Sequence, residues 1–112
     1  MIVKDYEVKA SRVIDGDTFV SNLVEFEVMG VRVSFPEVHF RLLGVDTPEK
    51  KDKGYKEATN YTKKLIEGKT VRIEAAGKDV FDRVLCTVYV EGQEKSLNQL
   101  LLDNKFAVVY KK

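Results

Sequence analysis

Two short acidic segments are where this chain could do chemistry. Asp15 and Asp17 flank Gly16, and Asp46 and Glu49 enclose Thr47-Pro48. Carboxylate, carbonyl and water oxygens are the ligands of hard cations such as Ca²⁺ and Mg²⁺, which need no His or Cys. Asp-Gly-Asp is equally ordinary turn chemistry. An EF-hand is excluded, because Phe26 stands where that loop requires a bidentate acid. Two arginines on otherwise apolar strands add a second signal: Arg41 precedes Asp46, and Arg83 follows a polar loop. A guanidinium is costly to bury without an anion, and its planar fork matches phosphate. The competing reading is structural, with Arg41 paired to a loop acid and Arg83 to Asp79 or Asp82. Together these groups make a kit for cleaving a phosphodiester: a cation to neutralise a phosphate oxygen, guanidiniums to stabilise developing charge, and a carboxylate to orient or deprotonate water. No covalent nucleophile is needed. Cys86 lies on the apolar side of an alternating strand and reads as core, and the lone His39 reads as an exposed or hydrogen-bonded side chain.

The elements that must position these groups follow from periodicity. Tyr6, Val8 and Ala10 alternate with Glu7 and Lys9, and beyond Asp15-Gly16-Asp17 the residues Val24, Phe26 and Val28 alternate with Glu25 and Glu27. Gly30 marks a turn, after which Val31, Val33 and Phe35 alternate until Pro36, which signals an edge or a bulge. Val38 to Val45 is nearly continuous in apolar residues and is expected to be one central strand. Past Pro48, Tyr55, Ala58, Thr62, Leu65 and Ile66 take helical spacing, with Gly68 placed to end the helix. Thr70 to Ala75 reads as a strand, residues 76–82 as a loop, and Val84 to Val90 as another strand. Ser96 with Gln99 predicts a capping box opening a short helix, with Asn104 as its left-handed terminus. This order of strands predicts an α+β, mainly β fold: a five-stranded Greek-key barrel of the OB type with an extended β-hairpin over residues 18–35 and two helices.

Composition narrows the classes. The chain has 112 residues, 19 Lys and Arg against 18 Asp and Glu, and 44% apolar residues, enough for one domain over 1–112 without a disulfide scaffold. Cys86 has no partner for an internal disulfide. The net charge of +1 argues against a protein that coats nucleic acid by bulk electrostatics. The charge is uneven, however: residues 1–49 carry five basic and nine acidic side chains, and residues 50–112 carry fourteen and nine. Lys50, Lys51, Lys53 and Lys56 follow Glu49 at once, so an anion-attracting rim could border a cation site. No apolar run is long enough for a membrane span. The printed N-terminus has no secretory signal, so the expected location is the cytoplasm or, for a processed form, outside the cell.

The segments Val13-Ile14-Asp15-Gly16-Asp17-Thr18 and Phe40-Arg41-Leu42-Leu43-Gly44-Val45-Asp46-Thr47-Pro48-Glu49 resemble those of the staphylococcal nuclease (thermonuclease) family. Glu57-Ala58, Thr62-Lys63-Lys64, Asp79 to Arg83 and Leu97-Asn98 fit the same pattern. The resemblance implies a Ca²⁺-dependent nuclease that hydrolyses DNA and RNA by attack of water on phosphorus, leaving 3′-phosphate ends. It implies that Asp17 and Asp46 ligate the metal through carboxylates and Thr47 through its carbonyl, with Asp15 holding metal-bound water. Glu49 would be the general base or water-orienting residue, and Arg41 and Arg83 would stabilise the phosphate. Single-stranded or frayed DNA and RNA are the expected partners, and a monomer is the expected state. Lys50, Lys51 and Lys53 are candidates for substrate binding, and Tyr110 for base stacking.

The chain departs from the family pattern in three places. The Asp17–Arg41 interval is long, so the hairpin is expected to project. The loop after Glu49 is compact, which places its lysines near the acids. Before Arg83 the chain has Val80-Phe81-Asp82 in place of a Lys-Tyr-Gly sequence, which makes Asp82 a competitor of phosphate for Arg83. The alternative function is a catalytically inactive barrel of the same family that binds single-stranded nucleic acid or a protein partner.

Overall fold

The computed structural model describes residues 4–110. In chain order the elements are β1 (Lys4–Lys9), β2 (Arg12–Asp15), β3 (Thr18–Val28), β4 (Val31–Leu42), β5 (Val45–Asp46), α1 (Tyr55–Ile66), β6 (Thr70–Lys78), β7 (Val84–Tyr89), α2 (Leu97–Asp103) and β8 (Val108–Val109). The fold is mainly β with two helices. One sheet has the order β1-β6-β7-β4-β3-β2, and β5 pairs with β8 in a separate two-stranded ribbon. Only the β4–β7 pairing is parallel. The large sheet curls into a half-barrel: Tyr6 of β1 and Phe26 of β3 approach to 5.9 Å between ring centroids although three strands separate them in the sheet. Its concave side is filled by Val8, Phe19, Phe40, Leu42, Ile73, Cys86 and Val88, and α1 and α2 add Ile66, Leu97 and Leu101. Burial pushes the Cys86 thiol up to about 12, so it is core and not a reactive thiol at neutral pH.

The hairpin β3–β4 sets the geometry of everything that follows. Met29 and Gly30 both have positive φ, 53° and 78°, the signature of a two-residue turn matched to strand twist. That turn puts Val28 opposite Val31 and, ten residues down each strand, Thr18 opposite Arg41. Pro36 lies on the stretch of β4 that β7 does not reach, where its missing N–H costs no ladder bond. The expected single strand from Val38 to Val45 is divided instead. Gly44 turns at φ +79°, and Leu43 donates its N–H to the Cys86 carbonyl at 2.8 Å, so β4 ends at Leu42 and β5 starts a new direction.

Two further boundaries shift. β6 runs on to Lys78 through residues expected to be loop, because pairing with β7 continues past an irregularity between Ala75 and Lys78. The left-handed residue after α2 is Lys105, φ 62°, and not Asn104, whose φ is −92°. Asn104 serves the helix end through its side chain, donating to the Leu100 carbonyl at 2.8 Å. At the other end Ser96 accepts the Gln99 N–H, as the capping box predicts. No helix of the described residues is long and apolar enough to cross a membrane.

Candidate active site

The turn after β2 carries the first acids, and α1 fixes it from behind. Thr62 Oγ1 donates to the Gly16 carbonyl at 2.7 Å, and a Cβ added to Gly16 would meet Thr47 Cγ2 at 2.9 Å and Ala58 Cβ at 3.0 Å. Glycine is required here by close approach, and the approach holds Asp17 against the 47–49 segment. The Asp17 carboxylate is buried. It accepts the Thr47 N–H at 3.0 Å and the Thr18 hydroxyl at 3.1 Å. Burial works against its ionisation, yet the Asp15 carboxyl, the Thr47 N–H and the Arg41 guanidinium together hold its carboxyl below the usual range. The paired Asp15 moves the other way. Burial and then the Asp17 carboxylate push it up to about 6, so of the two acids Asp15 is the one that protonates more readily.

Arg41 joins both acidic segments. Its side chain is only 12% exposed, and one nitrogen, Nη2, lies 3.6 Å from Asp17 Oδ2 and 3.4 Å from Asp46 Oδ1. Its Nη1 donates to the carbonyls of Leu42 and Val45, both at 2.9 Å, so the guanidinium also ties the Leu43–Gly44 turn. Tyr110 is fastened to that turn by its N–H on the Gly44 carbonyl and sets its ring 5.4 Å from Arg41 Cζ.

Arg83, the residue just before β7, faces the same cleft. The cleft measures about 660 Å³ and is lined by Arg41, Leu43, Lys78, Phe81, Arg83 and Tyr110, among others. The expected competition from Asp82 is replaced by a different pairing. Arg83 Nε donates to Asp79 Oδ2 at 2.7 Å, and Asp82 pairs with Lys78 at 2.8 Å. Asp79 also accepts the N–H groups of Phe81 and Arg83, which with the guanidinium keep its carboxyl below the usual range despite desolvation. Asp79 grips Arg83 by Nε alone, and neither Nη is hydrogen-bonded among the described residues, so the fork's outer edge remains available.

Among the residues expected at the site, the structure thus unites Asp15, Asp17, Asp46, Thr47 and Arg41, and sets Arg83 and Tyr110 in the Arg41 cleft. Glu49 is exposed in the adjoining concavity, which it shares with Asp46, Thr47, Asp52 and Lys105. Lys50, Lys51 and Lys53 lie on the exposed turn ahead of α1 and do not line the cleft. No group of three His, Cys, Asp or Glu converges among the described residues. The ligand atoms that do meet are the oxygens of the two carboxylates gathered at Arg41 Nη2, a chemistry that suits a hard cation with water completing its shell and not zinc.

Asn98, which enters the sequence reading only as part of the Leu97-Asn98 match, is central in the structure. It is buried on α2, donates to the carbonyls of Leu43 at 2.8 Å and Cys86 at 3.2 Å, and accepts the Val88 N–H at 3.0 Å. It therefore locks the turn after Arg41 to the strand that follows Arg83. The available signal was a polar amide inside the apolar run Leu97 to Leu102. Thr62 gave a similar signal on the apolar side of α1.

A curled, mainly β sheet with buttressing helices, two acids held by one arginine and a second arginine across a cleft defines the class. The sequence profile described as "Staphylococcal nuclease homologue" matches residues 39–112. The chain belongs to the staphylococcal nuclease homologue family. It is 33% identical over 110 residues, 98% of its length, to a protein of Escherichia coli described as an uncharacterized endonuclease, and equally to one from Escherichia coli O157:H7. It spans 65% of the length of each of these relatives.

Proposed function

We propose that the protein is a Ca²⁺-dependent nuclease that hydrolyses phosphodiesters of DNA and RNA, leaving 3′-phosphate ends. The observation that carries this reading is the convergence of Asp17 and Asp46 on Arg41 Nη2, with Arg41 itself lining a cleft that it shares with Arg83. Family membership and the names of the relatives support it. Asp17, Asp46 and the Thr47 carbonyl would hold the cation, with Asp15 on its water. When bound, the cation supplies charge neutralisation at a phosphate oxygen and a more acidic water.

The chain's own groups do the rest. In this reading Arg41 leaves its two carboxylate partners for a phosphate oxygen, keeping the Leu42 and Val45 carbonyls as its anchor. Arg83, oriented by Asp79, presents its Nη edge to the same phosphate. The two guanidiniums gain most when the phosphorane carries extra negative charge, which is how they favour the transition state over bound substrate. Glu49 accepts a proton from the attacking water as the water oxygen bonds to phosphorus, the P–O5′ bond breaks, and the departing 5′-oxygen takes a proton from solvent. The ring of Tyr110 offers a stacking surface for an unpaired base, which favours single-stranded or frayed substrate.

The test is cleavage of denatured DNA and of RNA with Ca²⁺ and with a chelator. Cleavage that a chelator abolishes and Ca²⁺ restores is expected. Tight binding without cleavage at any divalent cation would replace this reading with that of an inactive binding module.

A further inference from the structure

The solvent side of α1 carries a strip of lysines, with Glu57 in its first turn and Asp52 ahead of it as exposed acids, and has no role in the cleft. Lys50, Lys51 and Lys53 lead into the helix, and Lys56, Lys63 and Lys64 lie along it, all exposed. None of the six is in an ion pair among the described residues. Successive helical residues rotate by about 100°. Lys56, Asn60, Lys63 and Lys64 therefore share one side, opposite the buried Ala58, Thr62 and Ile66. The rise from Lys56 to Lys64 is about 12 Å, the axial length of roughly three to four nucleotides of a stacked strand at about 3.4 Å each.

The opposite side of this helix supports the candidate acids. Thr62 holds the Gly16 carbonyl, Ala58 packs beneath Gly16, and a Cβ on Gly54, ahead of the helix, would lie 3.3 Å from Pro48. The lysine strip therefore starts beside the Asp46–Glu49 segment and runs behind the loop that carries Asp17. We propose that this strip is a second docking surface, which takes the phosphate backbone of a nucleic-acid strand several nucleotides away from the scissile phosphate. The inference rests on the nuclease reading of the cleft. A bilayer surface is the poorer match, because helices that lie on membranes insert an apolar side, and here that side is buried in the core.

The experiment compares the wild-type protein with K56Q/K63Q/K64Q in chelator, so that no cleavage is required. Fluorescence anisotropy is read with a single-stranded 30-mer and with a tetranucleotide across a salt series. The triple variant is expected to bind the 30-mer about tenfold more weakly. The slope of log affinity against log salt should fall by about 2, near 0.7 for each lost phosphate contact on a single strand. Tetranucleotide binding is expected to stay the same. Equal 30-mer binding by the two proteins overturns the proposal, as does an equal loss for the tetranucleotide. Tighter binding to anionic phospholipid vesicles than to the 30-mer, lost in the variant, overturns it in favour of a membrane surface. Absence of cleavage on adding Ca²⁺, with the binding difference intact, would refute the nuclease reading and leave the strip standing as a nucleic-acid surface.

Discussion

The Asp17 carboxylate accepts the Thr47 N–H across an interval of 30 residues, and this bond fuses the two acidic segments into one unit. Asp17→Ala leaves a buried N–H without an acceptor and Arg41 short of an anion. The expected loss is about 2–3 kcal/mol in a metal-free urea titration. Asp17→Asn keeps an oxygen for Thr47 and should lose clearly less; equal losses would mean that the hydrogen bond contributes little.

Gly16 faces a tighter limit than its neighbours. A methyl group there meets Thr47 Cγ2 at 2.9 Å. Gly16→Ala should cost about 1–3 kcal/mol through overpacking, and Thr47→Ser in the same chain should recover part of it. Full stability of the single variant would show that the turn yields without effort.

The acid pair makes metal-free stability depend on pH. Asp15 has a folded pKa raised from 3.8 to about 6, so its ionisation opposes folding. Its stabilising proton is fully present below about pH 4 and is lost as pH rises towards 6. Asp17, held below its usual value, acts oppositely: its contribution is lost as pH falls below about 4. Asp15→Asn should remove the decline between pH 4 and 6 and stabilise the metal-free protein at pH 7 by on the order of 1–2 kcal/mol. Chemical denaturation of both proteins at several pH values in chelator measures this, and parallel curves would refute it.

Asn98 is a positioning residue for the cleft. Asn98→Ala leaves the Val88 N–H and the Leu43 carbonyl without their partner, while the Cys86 carbonyl keeps the Leu43 N–H, at a cost of about 2–3 kcal/mol. Because the Leu43 turn also anchors Arg41 and Tyr110, turnover should fall more than substrate affinity. Unchanged turnover at a temperature where the variant is fully folded would confine Asn98 to stability.

Glu49→Gln tests the proton acceptor directly. Turnover should drop on the order of 10²-fold or more with little change in binding. Arg83→Lys should also lower turnover, since an ammonium cannot be held by Asp79 at one nitrogen while offering a two-pronged edge to phosphate. A fully active Glu49→Gln would remove Glu49 from the mechanism.

Much of this molecule is legible locally. The α1 boundaries follow from apolar spacing and Gly68, and the Ser96 cap from its partner three residues on. The Met29-Gly30 turn even contains the Thr18–Arg41 pairing, because a two-residue hairpin fixes register along both strands. The break at Gly44 was hidden, since Val38 to Val45 is nearly continuous in apolar residues and only the left-handed φ of Gly44 shows where the chain turns away from β7. The choice between Asp79 and Asp82 was also hidden. Both lie within reach of Arg83, and the left-handed φ of Asp82 turns that residue to Lys78 instead.

By itself, the sequence determined the residue types of the site, the strands and helices that carry them, and the uneven charge that places lysines after the acids. Those features rest on interactions between residues a few positions apart, which periodicity and turn chemistry record. Tertiary structure alone decided that Asp17 and Asp46 share one nitrogen of Arg41, that the carboxyl of Asp15 is pushed up while that of Asp17 is held down, and that Asn98 ties the turn after Arg41 to the strand that follows Arg83. The Asp17–Thr47 and Asn98–Leu43 bonds that hold these groups join segments 30 and 55 residues apart, and they gain their strength from burial that no local pattern specifies.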